Sequence, residues 1–162
     1  MLLSIVLAGR NDGYLADYLY RLETTINQYS ASLPDASMKL LELIVVDWGS
    51  EVPLCDVISL TPKAQRYTKF LEVPRQLAGD VFDQITAINV GIRRAEGDFI
   101  MLSDSDCVYT PYSLNQLFAI LSKQRRDLSV ELESHIFNIS RVQVPESFVQ
   151  RRPGYELSLI HI

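Results

Sequence analysis

Four consecutive apolar residues, Leu43-Ile44-Val45-Val46, run directly into the polar cluster Asp47-Trp48-Gly49-Ser50. A strand that is apolar on both faces must be covered on both faces, the condition of a central strand in a parallel sheet. The same pattern occurs twice more. Ser4 to Ala8 ends in Gly9-Arg10-Asn11-Asp12, and Phe99 to Leu102 ends in Ser103-Asp104-Ser105-Asp106. Tyr67 to Val73 reads as a weaker strand, closed by Pro74.

Helical periodicity fills the intervals. Leu15, Leu19, Leu22, Ile26 and Tyr29 predict a helix from Tyr14 to Tyr29, with Asn11 or Asp12 able to cap its start. Val81, Ile85, Ile88, Ile92 and Ala95 share one stripe and predict a helix from Asp80 to Ala95, with Gly97 at its end. Thr110-Pro111 opens a further helix whose buried stripe is Leu114, Leu117, Phe118 and Leu121. Phe137 to Val144 predicts one more strand, and Pro145 to Glu156 a loop. Strands alternating with helices imply βαβ crossovers, hence an α/β fold with a mainly parallel sheet flanked by helices. Ligands of such sheets bind beyond the carboxyl ends of the strands, where the three polar clusters fall.

The chain of 162 residues is about one domain long. Fifteen basic against 20 acidic residues give a net charge of −5, which argues against a nucleic-acid binder. An anionic ligand would need a cation or helix amino termini to offset that charge. The two cysteines, Cys55 and Cys107, form neither a metal-ligand spacing nor a disulfide framework, and fit free thiols in a reducing, cytoplasmic compartment. No apolar run approaches the roughly 20 residues of a membrane helix. The last six residues, Leu157-Ser158-Leu159-Ile160-His161-Ile162, match one reading frame of a transposon-end sequencing adapter. Residues 1–156 are therefore expected to be a partial domain. Residues 157–162 are expected to be non-native, to pack against nothing, and to replace a gene that continues past Glu156.

Asp104-Ser105-Asp106 is the strongest chemical signal. Two carboxylates at i and i+2 beyond a strand can converge on one hard cation, which prefers oxygen ligands. Asp and Ser are equally good turn formers, so a solvated turn stands beside that reading. Asp47 can accept hydrogen bonds from a nucleobase edge or from loop amides. Asn89 lies about 40° from Ile85 and about 60° from Ile92 around the helix, so it is expected to face the sheet. There it would either satisfy a neighbouring loop or orient a site carboxylate. His135, Trp48 and the methionines read as packing or surface.

Together these segments resemble family 2 glycosyltransferases of the GT-A fold. The opening Ser4 to Asp12 is similar to that family's first strand and Asn-containing loop. ELIVVDWGS, Glu42 to Ser50, is similar to its second strand, with Trp48 where the family usually has a second Asp. AINVGIRRAEGDFIMLSDSD, Ala87 to Asp106, is similar to its helix, Ala-x-Gly-Asp turn, strand and Asp-x-Asp. An acidic residue often follows that motif; here it is Cys107.

The resemblance implies an inverting transfer of a sugar from a nucleotide-diphosphate donor, a UDP-sugar before others, to a hydroxyl acceptor that is not identified. It implies donor contacts at Ala8, Arg10, Asn11, Asp47, Asn89 and Asp104, with Asp47 at the base, Asp104 by the ribose and Asn89 in support. Asp106, with Asp104, would hold Mg²⁺ or Mn²⁺. The general base is expected beyond Glu156; Glu131, Glu133 and Glu146 carry no matching motif. Two alternatives remain. In a haloacid-dehalogenase-like phosphatase Asp104 would be the nucleophile and Asp106 the acid/base, but that motif normally follows the first strand and needs more chain after it. The other is a non-catalytic nucleotide-binding module.

Overall fold

The computed structural model describes residues 1–13, 15–122, 141–142 and 158–160. Strand β1 (Leu3–Gly9) leads to helix α1 (Tyr18–Ser32), a short α2 (Asp35–Met38), and strand β2 (Leu41–Trp48). Short helices α3 (Leu54–Val57) and α4 (Pro62–Tyr67) precede β3 (Thr68–Val73). Next come α5 (Arg75–Ala78), α6 (Gln84–Ile92), β4 (Phe99–Leu102), β5 (Cys107–Tyr109) and α7 (Pro111–Leu121). Two short strands, β6 (Arg141–Val142) and β7 (Ser158–Ile160), complete the described elements.

The main sheet has the order β3-β2-β1-β4, and every pairing in it is parallel. This is the α/β sheet expected from the alternating pattern. The chain steps outward from β1 to β2 to β3, then returns to the far side of β1 for β4. Such a reversal opens a crevice at the carboxyl ends of the two strands that flank it, here β1 and β4. Asp47 and the Asp104 segment lie at carboxyl ends of strands, but not of adjacent ones: β1 intervenes between β2 and β4.

One core layer joins α1 and α7 to the sheet through Leu22, Ile26, Tyr29, Leu114 and Phe118 against Ile5, Leu7, Leu43 and Val45. The other sets α6 on Val6, Ile44 and Val46. There the sequence reading needs correction. The buried residues of α6 are Ala87 and Gly91, whereas Ile85 is 76% exposed and Asn89 is exposed as well. A β-carbon on Gly91 would collide with Val6 Cγ1 and lie 3.1 Å from Val46 Cγ2. Two small residues on one side of the helix let its backbone approach the sheet closely, and that contact overrides the larger apolar stripe. Asn89 is thereby turned away from the sheet.

Other boundaries also shift. Helix α1 starts at Tyr18 rather than Tyr14, and its N-cap Asp17 makes no side-chain cap. Asn11 instead ties back to the loop after β2: its amide donates to Ser50 Oγ (2.8 Å) and its side chain to the Val52 carbonyl (3.3 Å). Helix α6 is capped by Asp83, whose carboxylate accepts from Thr86 N, and ends before Gly97. Gly97 donates its amide to Ser4 Oγ instead (2.8 Å). Strand β4 is open on one face, with Ile100 and Leu102 exposed. Helix α7 follows its expectation, capped by Thr110 through Ser113 N.

Ser158–Ile160 does not stand alone, contrary to the expectation for the last six residues. Its backbone pairs parallel with Cys107–Tyr109 and antiparallel with Arg141–Val142. An unpaired strand edge is a template for any segment able to extend, and alternating Ser-Leu-Ile can. Arg141–Val142 falls within the strand expected from Phe137 to Val144. The rest of that strand, the loop from Pro145, and Glu131, Glu133, His135 and Glu146 lie outside the described residues.

At the amino-terminal end of the sheet Glu42, 2% exposed, accepts from Ser4 Oγ and from Glu96 N (2.6 Å), and pairs with Lys69 Nζ at 2.8 Å. Burial alone would push its pKa up. The Lys69 ammonium, the Ser4 hydroxyl and the Glu96 amide outweigh burial and hold it below the ordinary glutamate value. A depressed folded-state pKa contributes stability that is present above the unfolded value of about 4.3 and lost as pH falls through the folded one. Glu42→Ala should therefore cost about 2 kcal/mol at neutral pH and flatten the acid limb of the stability curve. An acid limb identical to the parent's in urea titrations would refute this role. Gly91→Val should cost about 2 kcal/mol by overpacking, and Asn89→Ala less than about 0.5. Equal costs in the same titrations would contradict the α6 orientation.

Candidate functional site

The crevice is built from three strand ends. In the β1–β2 register Gly9 lies opposite Asp47, and in the β1–β4 register Val6 lies opposite Leu102, two residues before Asp104. Asp47 is 3% exposed, and its two oxygens accept from Ser50 N (3.1 Å) and Leu54 N (2.7 Å). Of the two roles open to it, holding loop amides is the one it makes here. It folds the loop from Gly49 to Leu54 back over the end of β2.

Arg10 is buried, and its guanidinium faces inward. NH1 donates to the carbonyls of Gly79 (3.3 Å) and Asp80 (3.0 Å), and Nε lies 3.9 Å from Asp12 Oδ2. Trp48 secures the same segment from β2, its indole N–H donating to the Ala78 carbonyl (3.1 Å). Arg75 adds a third tie, donating to the Gly49 carbonyl (3.3 Å) and pairing with Asp80 (3.3 Å). The wall formed by α5 and the turn after it is thus fastened to the ends of β1 and β2. The Trp48 departure from the family pattern is a packing and tethering device.

On the other side Asp104, Asp106 and Cys107 offer ligand atoms that lie within 4.8 Å of one another. Two half-buried carboxylates suit a hard cation such as Mg²⁺ or Mn²⁺. The Cys107 thiol, 1% exposed, is a soft donor that suits neither ion and instead packs in the core. The donor set that fits is therefore Asp104 and Asp106.

Helix α1 holds this acidic segment along one face. Tyr29 donates from its hydroxyl to Ser103 Oγ (2.9 Å), and Thr25 Oγ1 to the Ser105 carbonyl (2.9 Å). Arg21 NH1 lies 3.7 Å from Asp106 Oδ2. Tyr18 closes the row. Its hydroxyl lies against Gly9, where any β-carbon would collide with it. That hydroxyl is shut off from solvent and faces Ser105 and the Arg10 backbone without a well-formed hydrogen bond among the described residues. Burial, then the Asp47 and Asp12 carboxylates, push its pKa up, so it stays a neutral donor.

None of these four α1 residues was singled out from the sequence as part of the site; Tyr29 was read only as a member of the apolar stripe. The signal was present as spacing, since 18, 21, 25 and 29 share one helical face, but it is interleaved with the apolar stripe. Of the residues that were singled out, the fold brings Ala8, Arg10, Asn11, Asp47, Asp104 and Asp106 to one end of the sheet. Asn89 is not among them: it is exposed midway along α6.

Comparison with known proteins adds three findings. The family model described as Glycosyl transferase family 2 matches residues 17–131. No curated protein sequence matches the chain significantly. Among solved structures, residues 1–349 of S. aureus TarS superpose with a TM-score of 0.50 at 21% identity, over 76% of this chain and 33% of that one. The same protein in complex with UDP-GlcNAc gives 0.49 at 17% identity, over 88% of this chain and 40% of that one. This chain therefore spans about a third of the length of the TarS fragment it is similar to. The family match displaces the phosphatase alternative, whose motif would follow the first strand, whereas Asp104 follows β4. The match covers well over half of the chain and includes α1, β2 and the Asp104–Asp106 segment, so the chain belongs to glycosyl transferase family 2.

Proposed function

We propose that the crevice between β1 and β4 binds a nucleotide-diphosphate sugar, and that the protein transfers its sugar, with inversion, to a hydroxyl acceptor. The observation that carries this reading is the convergence of Asp104 and Asp106 at the point where the strand order reverses. Family membership supports the reaction class. The nucleoside would lie over the ends of β1 and β2, against Ala8, the Arg10–Asn11 backbone and Asp47. Asp104 would lie by the ribose and Asp106 on the diphosphate side. A UDP-sugar is the donor we favour.

Each residue's part follows from its surroundings. Asp47 shapes the loop that meets the base, since both of its oxygens already hold amides. Arg10 acts through the turn at Gly79 and Asp80, which it fixes as one wall of the crevice. Tyr18 keeps a donor hydroxyl at the crevice floor. Asp104 and Asp106 would hold Mg²⁺ or Mn²⁺, which when bound offsets the charge developing on the departing diphosphate. Without a cation the two carboxylates repel a diphosphate, all the more on a chain of net charge −5. Asn89, facing solvent, has no part in this arrangement. No general base is assigned among the described residues, and no described helix is long and apolar enough to cross a membrane.

Calorimetric titration with UDP should show binding that strengthens at least about tenfold with Mn²⁺. Asp106→Asn should remove most of that dependence, whereas Asp47→Ala should weaken binding to a similar degree with and without the metal. Metal-independent binding by the parent would overturn the role of Asp106. A non-catalytic nucleotide-binding module would bind UDP in the same way, yet the full-length protein would turn over no UDP-sugar.

A further inference from the structure

The positive charge nearest Asp106 among the described ion pairs comes from α1. Arg21 is clamped one helical turn after Asp17: its Nε donates to Asp17 Oδ2 at 2.8 Å, and NH2 lies 2.7 Å from the same oxygen. The remaining end of the fork, NH1, points to Asp106 Oδ2 at 3.7 Å. The loop that carries Asp106 is held to the same helix by Thr25 Oγ1 on the Ser105 carbonyl (2.9 Å). Helix geometry and two hydrogen-bonded anchors therefore set this separation.

We propose that Arg21 is a positioning residue that makes divalent-cation binding at Asp106 depend on the nucleotide. The inference rests on the donor-site reading above. A guanidinium cannot give up its charge, so a cation arriving alone at Asp106 meets a fixed positive charge a few ångströms away. A nucleoside diphosphate changes the sign of that encounter. Its phosphate oxygens offer the cation further ligands and offer Arg21 an anion, and the planar fork suits phosphate geometry. Arg21 thus opposes the cation by itself and favours cation and diphosphate together, a reciprocal coupling between two ligands. Among the described residues, the two other groups beside Asp106 do not supply this. The Cys107 thiol, 4.0 Å away, is uncharged as a donor, and Asp104 is a further anion. Arg21 and Asp106 have side chains 32% and 41% exposed, so their pair adds little to folding stability, which separates this role from a structural one.

The test measures Mn²⁺ affinity with and without UDP, by calorimetry on the whole chain, for the parent, Arg21→Gln and Arg21→Lys. Arg21→Gln is expected to bind Mn²⁺ about threefold tighter without UDP and about threefold weaker with UDP present, so that the coupling between them falls by about tenfold. Arg21→Lys should keep much of the coupling, since it keeps the charge, and its unfolding midpoint should match the parent's. Unchanged or weaker Mn²⁺ binding by Arg21→Gln without UDP, while the parent shows metal-dependent UDP binding, would overturn the role of Arg21 alone. A parent that binds UDP without regard to Mn²⁺ would overturn the donor-site reading and this inference together.

Discussion

Strand β1 is hydrogen-bonded along both of its backbone edges, to β2 over seven residue pairs and to β4 over four. Its side chains are covered on both faces as well, by α1 and α7 on one and α6 on the other. Leu3, Ile5, Val6 and Leu7 are at most 1% exposed. A strand enclosed in this way has no freedom in register, because a one-residue slip would exchange its two faces. The near side of the crevice takes its position from the carboxyl end of this strand. Gly9 leaves room for Tyr18, Arg10 reaches the wall at Gly79, and Asn11 turns toward Ser50.

The two sides of the crevice are held by different physics. The wall after α5 is fastened through neutral backbone carbonyls, which accept from Arg10, Trp48 and Arg75. The acidic segment opposite is fastened by hydroxyls of α1 and faces, among the described residues, the Arg21 guanidinium. Carbonyl tethers leave the charge of the wall unchanged. Among the described residues the acidic side presents two carboxylates, which a divalent cation can meet. The contrast gives the crevice a polarity from one side to the other, before any ligand enters.

Both departures from the family pattern make sense within this layout. Trp48 fills the layer under α6, and its N–H anchors the Ala78 carbonyl. An Asp at this 6% exposed position would carry a charge into apolar surroundings. Cys107 begins a strand whose three residues are all buried, and a carboxylate there would need a partner within the core. In each case the demand of local packing explains the residue present.

Much of this architecture was legible in the residues themselves. Apolar runs ahead of Asp47 and Asp104 marked the strands and the end of the sheet on which polar chemistry collects, because β2, buried on both faces, can expose polar groups only at its ends, although β4 is open on one face. Thr110-Pro111, with the stripe that follows it, located α7. What the sequence could not decide was which face of α6 meets the sheet. Periodicity favoured the larger side chains, whereas close approach at Gly91 and Ala87 governed the contact, and Asn89 turned to solvent as a result. Nor could it show that Tyr18, Arg21, Thr25 and Tyr29 line up along the acidic segment. Those contacts join residues about 74 to 85 positions apart. The sequence determined the elements and the end of the sheet that carries the chemistry, since propensity and burial act locally. Only the tertiary structure decided which helix faces the carboxylates, since that depends on how two layers pack across β1.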